Sequence, residues 1–127
     1  MMQNAINWFE IPAADFDRAV NFYSTVLGQD IQKGEFMGEP QAFFAGSDTG
    51  VGGAIVKSER LTPAATGTLI YLNVETVDQL EQSLERVEPN GGKVMMPKIA
   101  IGDPGFIGII LDTEGNCVGL HAPKPSA

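Results

Sequence analysis

Residues 5–11, "AINWFEI", open the chain with a strand pattern. Strand side chains alternate faces, so Asn7, Phe9 and Ile11 point one way and Trp8, Glu10 and Pro12 the other. The period then changes. Phe16, Ala19, Val20, Tyr23 and Leu27 recur at helical spacing and predict one apolar stripe. Asp15 is placed to cap that helix, and Gly28 to stop it where a left-handed residue is cheap. Beyond it, "EFMGEP" predicts a turn, "QAFFAG" a short strand, "SDTG" a second turn and "GGAIVKS" another strand. Residues 58–67, "SERLTPAATG", have no apolar period and read as a connector.

After the connector the order repeats. "TLIYLNV" predicts a strand, and "TVDQLEQSLERV" a helix with Thr76 and Gln79 at capping-box spacing and a stripe of Val77, Leu80, Leu84 and Val87. "NGG" stops it, and "KVMMPKIAI", "GFIGIILD" and "NCVGLHA" read as strands. The caps Asp15 and Thr76 lie 61 residues apart, the stops Gly28 and Gly91 63 apart, and the Asp-Thr turns at Asp48 and Asp112 64 apart. A near-constant offset across three landmarks indicates a duplicated unit of about 60 residues. The expectation is an α+β fold: one domain over residues 1–127, built from tandem βαβββ modules at 5–58 and 68–122.

Each helix covers one face of its own sheet, so the opposite faces are expected to line a cleft. Phe9 and Ile11 go under the first helix, and Ile70, Leu72 and Val74 under the second. Trp8, Glu10, Leu69, Tyr71 and Asn73 then face the cleft, with Cys117, Gly119 and His121 from the last strand. Trp8, Leu69, Tyr71, Asn73 and, after "GDPG", Phe106 are the expected lining of a small-molecule pocket, mostly apolar with a few polar groups.

Composition narrows the chemistry. With 43% apolar and 19% charged residues, the 127-residue chain has the make-up of a folded domain. A net charge of −8 without a basic cluster argues against nucleic acid as a partner. No apolar run suits a membrane helix and the first residues lack a secretion signal, so the expected location is the cytoplasm. The one cysteine, Cys117, excludes an internal disulfide, and the one histidine, His121, allows at most one imidazole at any metal. "GVGG" at 50–53 lacks the Lys-Ser/Thr of a phosphate loop, and its glycines suit a bent strand.

"WFEIPAADFDRAVNFYSTVLG" and "IILDTEGNCVGLH" resemble the two end motifs of the vicinal oxygen chelate superfamily, also called the glyoxalase/bleomycin resistance/dioxygenase superfamily. With the duplicated middle, the resemblance spans about residues 5–122. It implies paired βαβββ modules forming an open, cup-shaped mixed sheet with helices on the outer face, often assembled as a homodimer. Many members hold a divalent metal that chelates two adjacent substrate oxygens. Their ligand positions correspond here to Trp8, Leu69 and Gly119, none of which has a donor.

No cofactor is the first expectation. An alternative divalent site would use Glu10 and His121, each two residues beyond a vacated position, with Glu59 as a further carboxylate. Convergence of the first and last strands, as in the family, would also bring Glu10 and His121 into a hydrogen bond. Three functions follow. One is a glyoxalase-like lyase or isomerase with Glu10 as base and His121 as its partner or a ligand. Another is a metal-free protein that sequesters a small apolar or aromatic compound. The third is an accessory dimeric module with no ligand.

Overall fold

The computed structural model describes residues 4–46 and 50–125. The elements run β1 (Trp8–Pro12), α1 (Phe16–Leu27), β2 (Gln32–Phe36), β3 (Glu39–Phe43), β4 (Gly52–Val56), β5 (Tyr71–Asn73), α2 (Val77–Val87), β6 (Lys93–Ala100), β7 (Phe106–Leu111) and β8 (Cys117–Ala122). They form two mixed four-stranded sheets of identical topology, ordered β1-β4-β3-β2 and β5-β8-β7-β6. In each, the first strand pairs parallel with the last and the remaining pairs are antiparallel. This is the tandem βαβββ arrangement, without a closed barrel. The turn expected at Asp48 lies outside the described residues.

Both helices begin and end for the local reasons read from the sequence. Asp15 accepts the backbone N–H of Arg18 at 3.1 Å, and Gly28, at φ 64°, closes α1 by donating its N–H to the Ser24 carbonyl. Thr76 Oγ1 accepts the Gln79 N–H at 3.1 Å at the start of α2. That helix ends at Val87 and tightens into one 3-10 turn before Gly91, where φ is 97°. Among the described residues, no helix is long and apolar enough to cross a membrane.

Two strands depart from expectation. β2, "QKGEF", lies inside a stretch read only as leading to a turn, and all five of its residues are exposed. A strand held by pairing with β3 alone buries no apolar face, so it leaves no alternation to read. β5 is only three residues long: Tyr71–Asn73 stand in register with Gly119–His121 of β8, and the flanking Ile70 carbonyl and Val74 N–H each add a single bond to that strand.

The helices pack on their own sheets and on each other, so both modules share one core running from Ile11, Val20, Tyr23 and Val26 to Leu80, Val87, Ile110 and Leu120. The turn between β7 and β8 fastens the modules together (Asp112 to Asn116). Tyr23 donates its hydroxyl to Asp112 Oδ2 at 2.7 Å, and Asn116 Nδ2 donates to the Pro12 carbonyl at 2.7 Å. Glu114 reaches back over the first turn of α1. Its Oε1 accepts the N–H groups of Ala14 and Asp15 at 2.9 and 2.7 Å, and its Oε2 accepts Arg18 Nε at 2.8 Å. A carboxylate there satisfies free amides and the positive end of the helix together.

Candidate functional site

On β1, β5 and β8, alternation separates the buried from the exposed residues as expected. Ile11, Leu72, Val74, Val118 and Leu120 are buried, while Trp8 and Tyr71 are 45% and 46% exposed on the opposite faces. Trp8 stands opposite Gly52 across the β1–β4 ladder, and Tyr71 opposite Gly119 across the β5–β8 ladder. Both modules therefore carry an exposed ring laid over a glycine. A Cβ at Gly52 would sit 3.0 Å from the Trp8 ring, and one at Gly119 only 2.3 Å from the Tyr71 ring. Gly119, one of the ligand positions that the resemblance implies, thus has no side chain and is roofed by an aromatic ring.

Glu10 and His121 do not form the expected pair. Glu10 Oε2 accepts the Trp8 indole N–H at 3.3 Å. His121 Nε2 lies 2.7 Å from the Pro104 carbonyl oxygen. A carbonyl has no proton to give, so Nε2 is the donor of this bond. The strands that hold them belong to separate sheets, and each side chain is engaged by its own neighbour.

The donor set does not fit a divalent metal. Trp8, Leu69 and Gly119 offer no lone pair, and Glu10 with His121 makes two ligands where catalytic zinc sites take three. Glu59 lines a separate hollow beside Glu39 and Lys57. Among the described residues, no three His, Cys, Asp or Glu side chains cluster as a metal site.

The structure instead gathers part of the expected pocket around a cavity. Leu69, Tyr71 and Asn73 line a hollow of about 610 Å³ at the junction of the modules, beside Phe9, Leu27 and Phe44. Phe9 and Phe44 pack at 5.4 Å between ring centroids, which gives the hollow an aromatic floor. Asn73 Oδ1 is already taken by the Glu75 N–H at 2.8 Å. A smaller cavity of about 290 Å³ contains Glu10 together with Cys117, Thr62, Thr66 and Thr68. Trp8 and His121 line neither of these two hollows.

Phe106 leaves the expected set. It pairs with the buried Ala122 and so shares the core face of its sheet, packing against the core with Lys98 Nζ 5.8 Å from its ring centroid. Its pocket assignment is corrected by register, because the "GDPG" turn starts β7 on the helix side.

Sequence reasoning missed the threonines, which lie in or beside a stretch read as a plain connector. It also missed Gln29, which enters the larger cavity directly after the stop of α1. No periodic signal marks either, since irregular backbone sets both.

Two mixed sheets of βαβββ topology with a hollow at their junction give the arrangement of a glyoxalase-type domain. The family comparison agrees: residues 5–120 match the Glyoxalase/Bleomycin resistance protein/Dioxygenase superfamily, and the chain belongs to it. A "Glyoxylase-like domain-containing protein" of Didymella fabae is 34% identical over 122 residues, covering 91% of each chain. The "Putative glyoxylase CFP32" of Mycobacterium bovis is 29% identical over 120 residues, which are 93% of this chain but 45% of that protein, so this chain spans about half of that relative's length. A crystal structure of a glyoxalase/bleomycin resistance protein from Albidiferax ferrireducens superimposes with a TM-score of 0.72 at 17% identity, over 94% of this chain and 98% of that one.

Proposed function

We propose that this chain binds a small, largely apolar compound in the junction cavity without the help of a metal ion. The observation that carries this reading is the cavity: about 610 Å³, floored by Phe9, Leu27 and Phe44, with few polar groups at its edge. That is the usual composition of a small-molecule site. The loss of side-chain donors at Trp8, Leu69 and Gly119 supports the same reading. An aromatic probe that buries roughly 200 Å² gains about 5 kcal/mol at about 25 cal/mol per Å², before ordering costs, which puts test concentrations in the millimolar range.

The test is an amide NMR titration with single-ring and fused-ring aromatics, run with EDTA and again with zinc or nickel. The expected result is shifts at Leu27, Gln29, Leu69 and Asn73 that metal does not change, and their loss in Leu69→Trp, which fills the mouth. A panel in which no compound moves these amides overturns the reading.

One observation favours an enzyme: Glu10 borders the smaller cavity with Thr62, Thr66, Thr68 and Cys117. A lyase or isomerase would use Glu10 as base there. Turnover that survives Glu10→Gln unchanged sinks that assignment.

A further inference from the structure

We infer that the smaller cavity is a site for a secondary amide, a compound whose N–H and C=O span the open edges of β1 and β8. This does not depend on the binding reading above. The hollow of about 290 Å³ touches four consecutive residues of β1, Phe9 to Pro12, and three consecutive residues at the start of β8, Asn116 to Val118. Consecutive strand side chains leave by opposite faces, so a hollow that touches all of them runs along the strand edges. Its wall there is backbone.

Hydrogen bonding decides which groups that wall presents. In a parallel pair, alternate residues give both N–H and C=O to the partner strand, and those between turn theirs to the other edge. Ala13 donates its N–H to the Val56 carbonyl at 2.8 Å, so in the β1–β4 register Phe9 and Ile11 bond β4. Glu10 and Pro12 face outward. On β8, Gly119 donates its N–H to the Ile70 carbonyl at 2.8 Å, and the His121 carbonyl accepts the Val74 N–H at 2.9 Å. Cys117, in phase with these two, turns its backbone groups the same way. β5 begins at Tyr71, opposite Gly119, and so leaves Cys117 beyond its end. Among the described residues, the backbone N–H and C=O of Glu10 and Cys117 find no partner on these edges.

The chain already places one amide in this gap. Asn116 Nδ2 donates to the Pro12 carbonyl at 2.7 Å, and its Oδ1 accepts the Ala64 N–H at 3.1 Å. Glu10 is the next outward residue on the same edge, and its carbonyl has no such donor. A trans secondary amide sends its N–H and C=O in opposite directions, as a strand residue does. Between the two edges it donates to the carbonyl of one and accepts from the N–H of the other. Ile11, Ile70 and Val118 offer apolar contact to short alkyl ends. An ester of the same shape has no N–H, and meets the strand carbonyl lone pair to lone pair.

N-butylacetamide and butyl acetate test this, since they share shape and differ by an N–H replaced by oxygen. NMR titration of the full chain with each follows the backbone amides and carbonyl carbons. With the amide, the Glu10 or the Cys117 amide proton is expected to move downfield and to exchange more slowly with solvent. The amide is expected to bind about tenfold more tightly than the ester, the size of one hydrogen bond. Equal affinities overturn the inference. So do shifts confined to Leu27, Leu69 and the rest of the junction cavity, and so does an amide titration that moves neither Glu10 nor Cys117. The junction-cavity reading stands or falls separately, on its own aromatic panel.

Discussion

At the scale of single residues, the glycines opposite Trp8 and Tyr71 decide what the open faces are. A methyl group at Gly119 would lie 2.3 Å from the Tyr71 ring, far inside contact distance. Gly119→Ala is expected to swing that ring aside and to cost about 1–2 kcal/mol, as overpacking does. Chemical denaturation checks the cost. In a Tyr71→Ala background the same change should cost much less, because the obstacle is the ring. Tyr23 offers a second case. Burial and then the nearby Asp112 carboxylate hold its phenol well above the ordinary value, so it stays a neutral donor. Tyr23→Phe is expected to cost about 1–2 kcal/mol, read by denaturation, because it withdraws one donor from a buried carboxylate that keeps Asn116.

At the scale of elements, the first turn of α1 depends on a side chain about a hundred residues away. Burial pushes the Glu114 carboxyl up, but the bond from Arg18, the Asp15 amide and the Thr113 hydroxyl outweigh it and hold it below the usual carboxylate range. A group whose folded value is depressed gives stability that is present above its unfolded value and is lost as pH falls through the folded one. The melting midpoint of wild type should therefore fall more steeply below the ordinary carboxylate range than that of Glu114→Gln. At neutral pH that substitution should cost about 1–3 kcal/mol, since charge-assisted bonds to two amides and Arg18 are weakened together. Melting curves across acidic pH test both statements.

The elements also show what the sequence could say. The helices were legible because capping residues and apolar stripes are local. Asp15, Gly28 and Thr76 act within four residues of themselves. The strand faces were legible for the same reason, and they put Trp8 and Tyr71 on exposed sheet surfaces. β2 was not, because all five of its residues are exposed on an edge strand paired with β3. The partners of Glu10 and His121 were not either. Trp8 is two positions from Glu10 and could be foreseen, whereas Pro104 meets His121 only through the path of the β6–β7 loop. The cavity needed three distant segments to meet, and one of them, at Gln29, carries no pattern.

At the scale of the molecule, the donor set makes metal dependence a sharp question. A divalent ion present at a hundredfold its dissociation constant would add about 2.7 kcal/mol of stability. With two candidate ligands, Glu10 and His121, each engaged elsewhere, the expected outcome is a melting midpoint that neither EDTA nor added zinc, nickel or manganese moves. Calorimetric scans in matched buffers check it. A clear rise with one metal would mean that ligands assemble in a way this chain alone does not display.

The Glu114 clasp has a consequence for the repeat itself. The two modules share a topology, yet they are not interchangeable parts. Cut after residue 58, the first module would keep its sheet and lose the carboxylate over its helix start, along with the hydrogen bonds that Tyr23 and Pro12 find on the second. Symmetry of form has been joined to asymmetry of dependence, and the chain is expected to unfold as one cooperative body, its halves unable to stand alone.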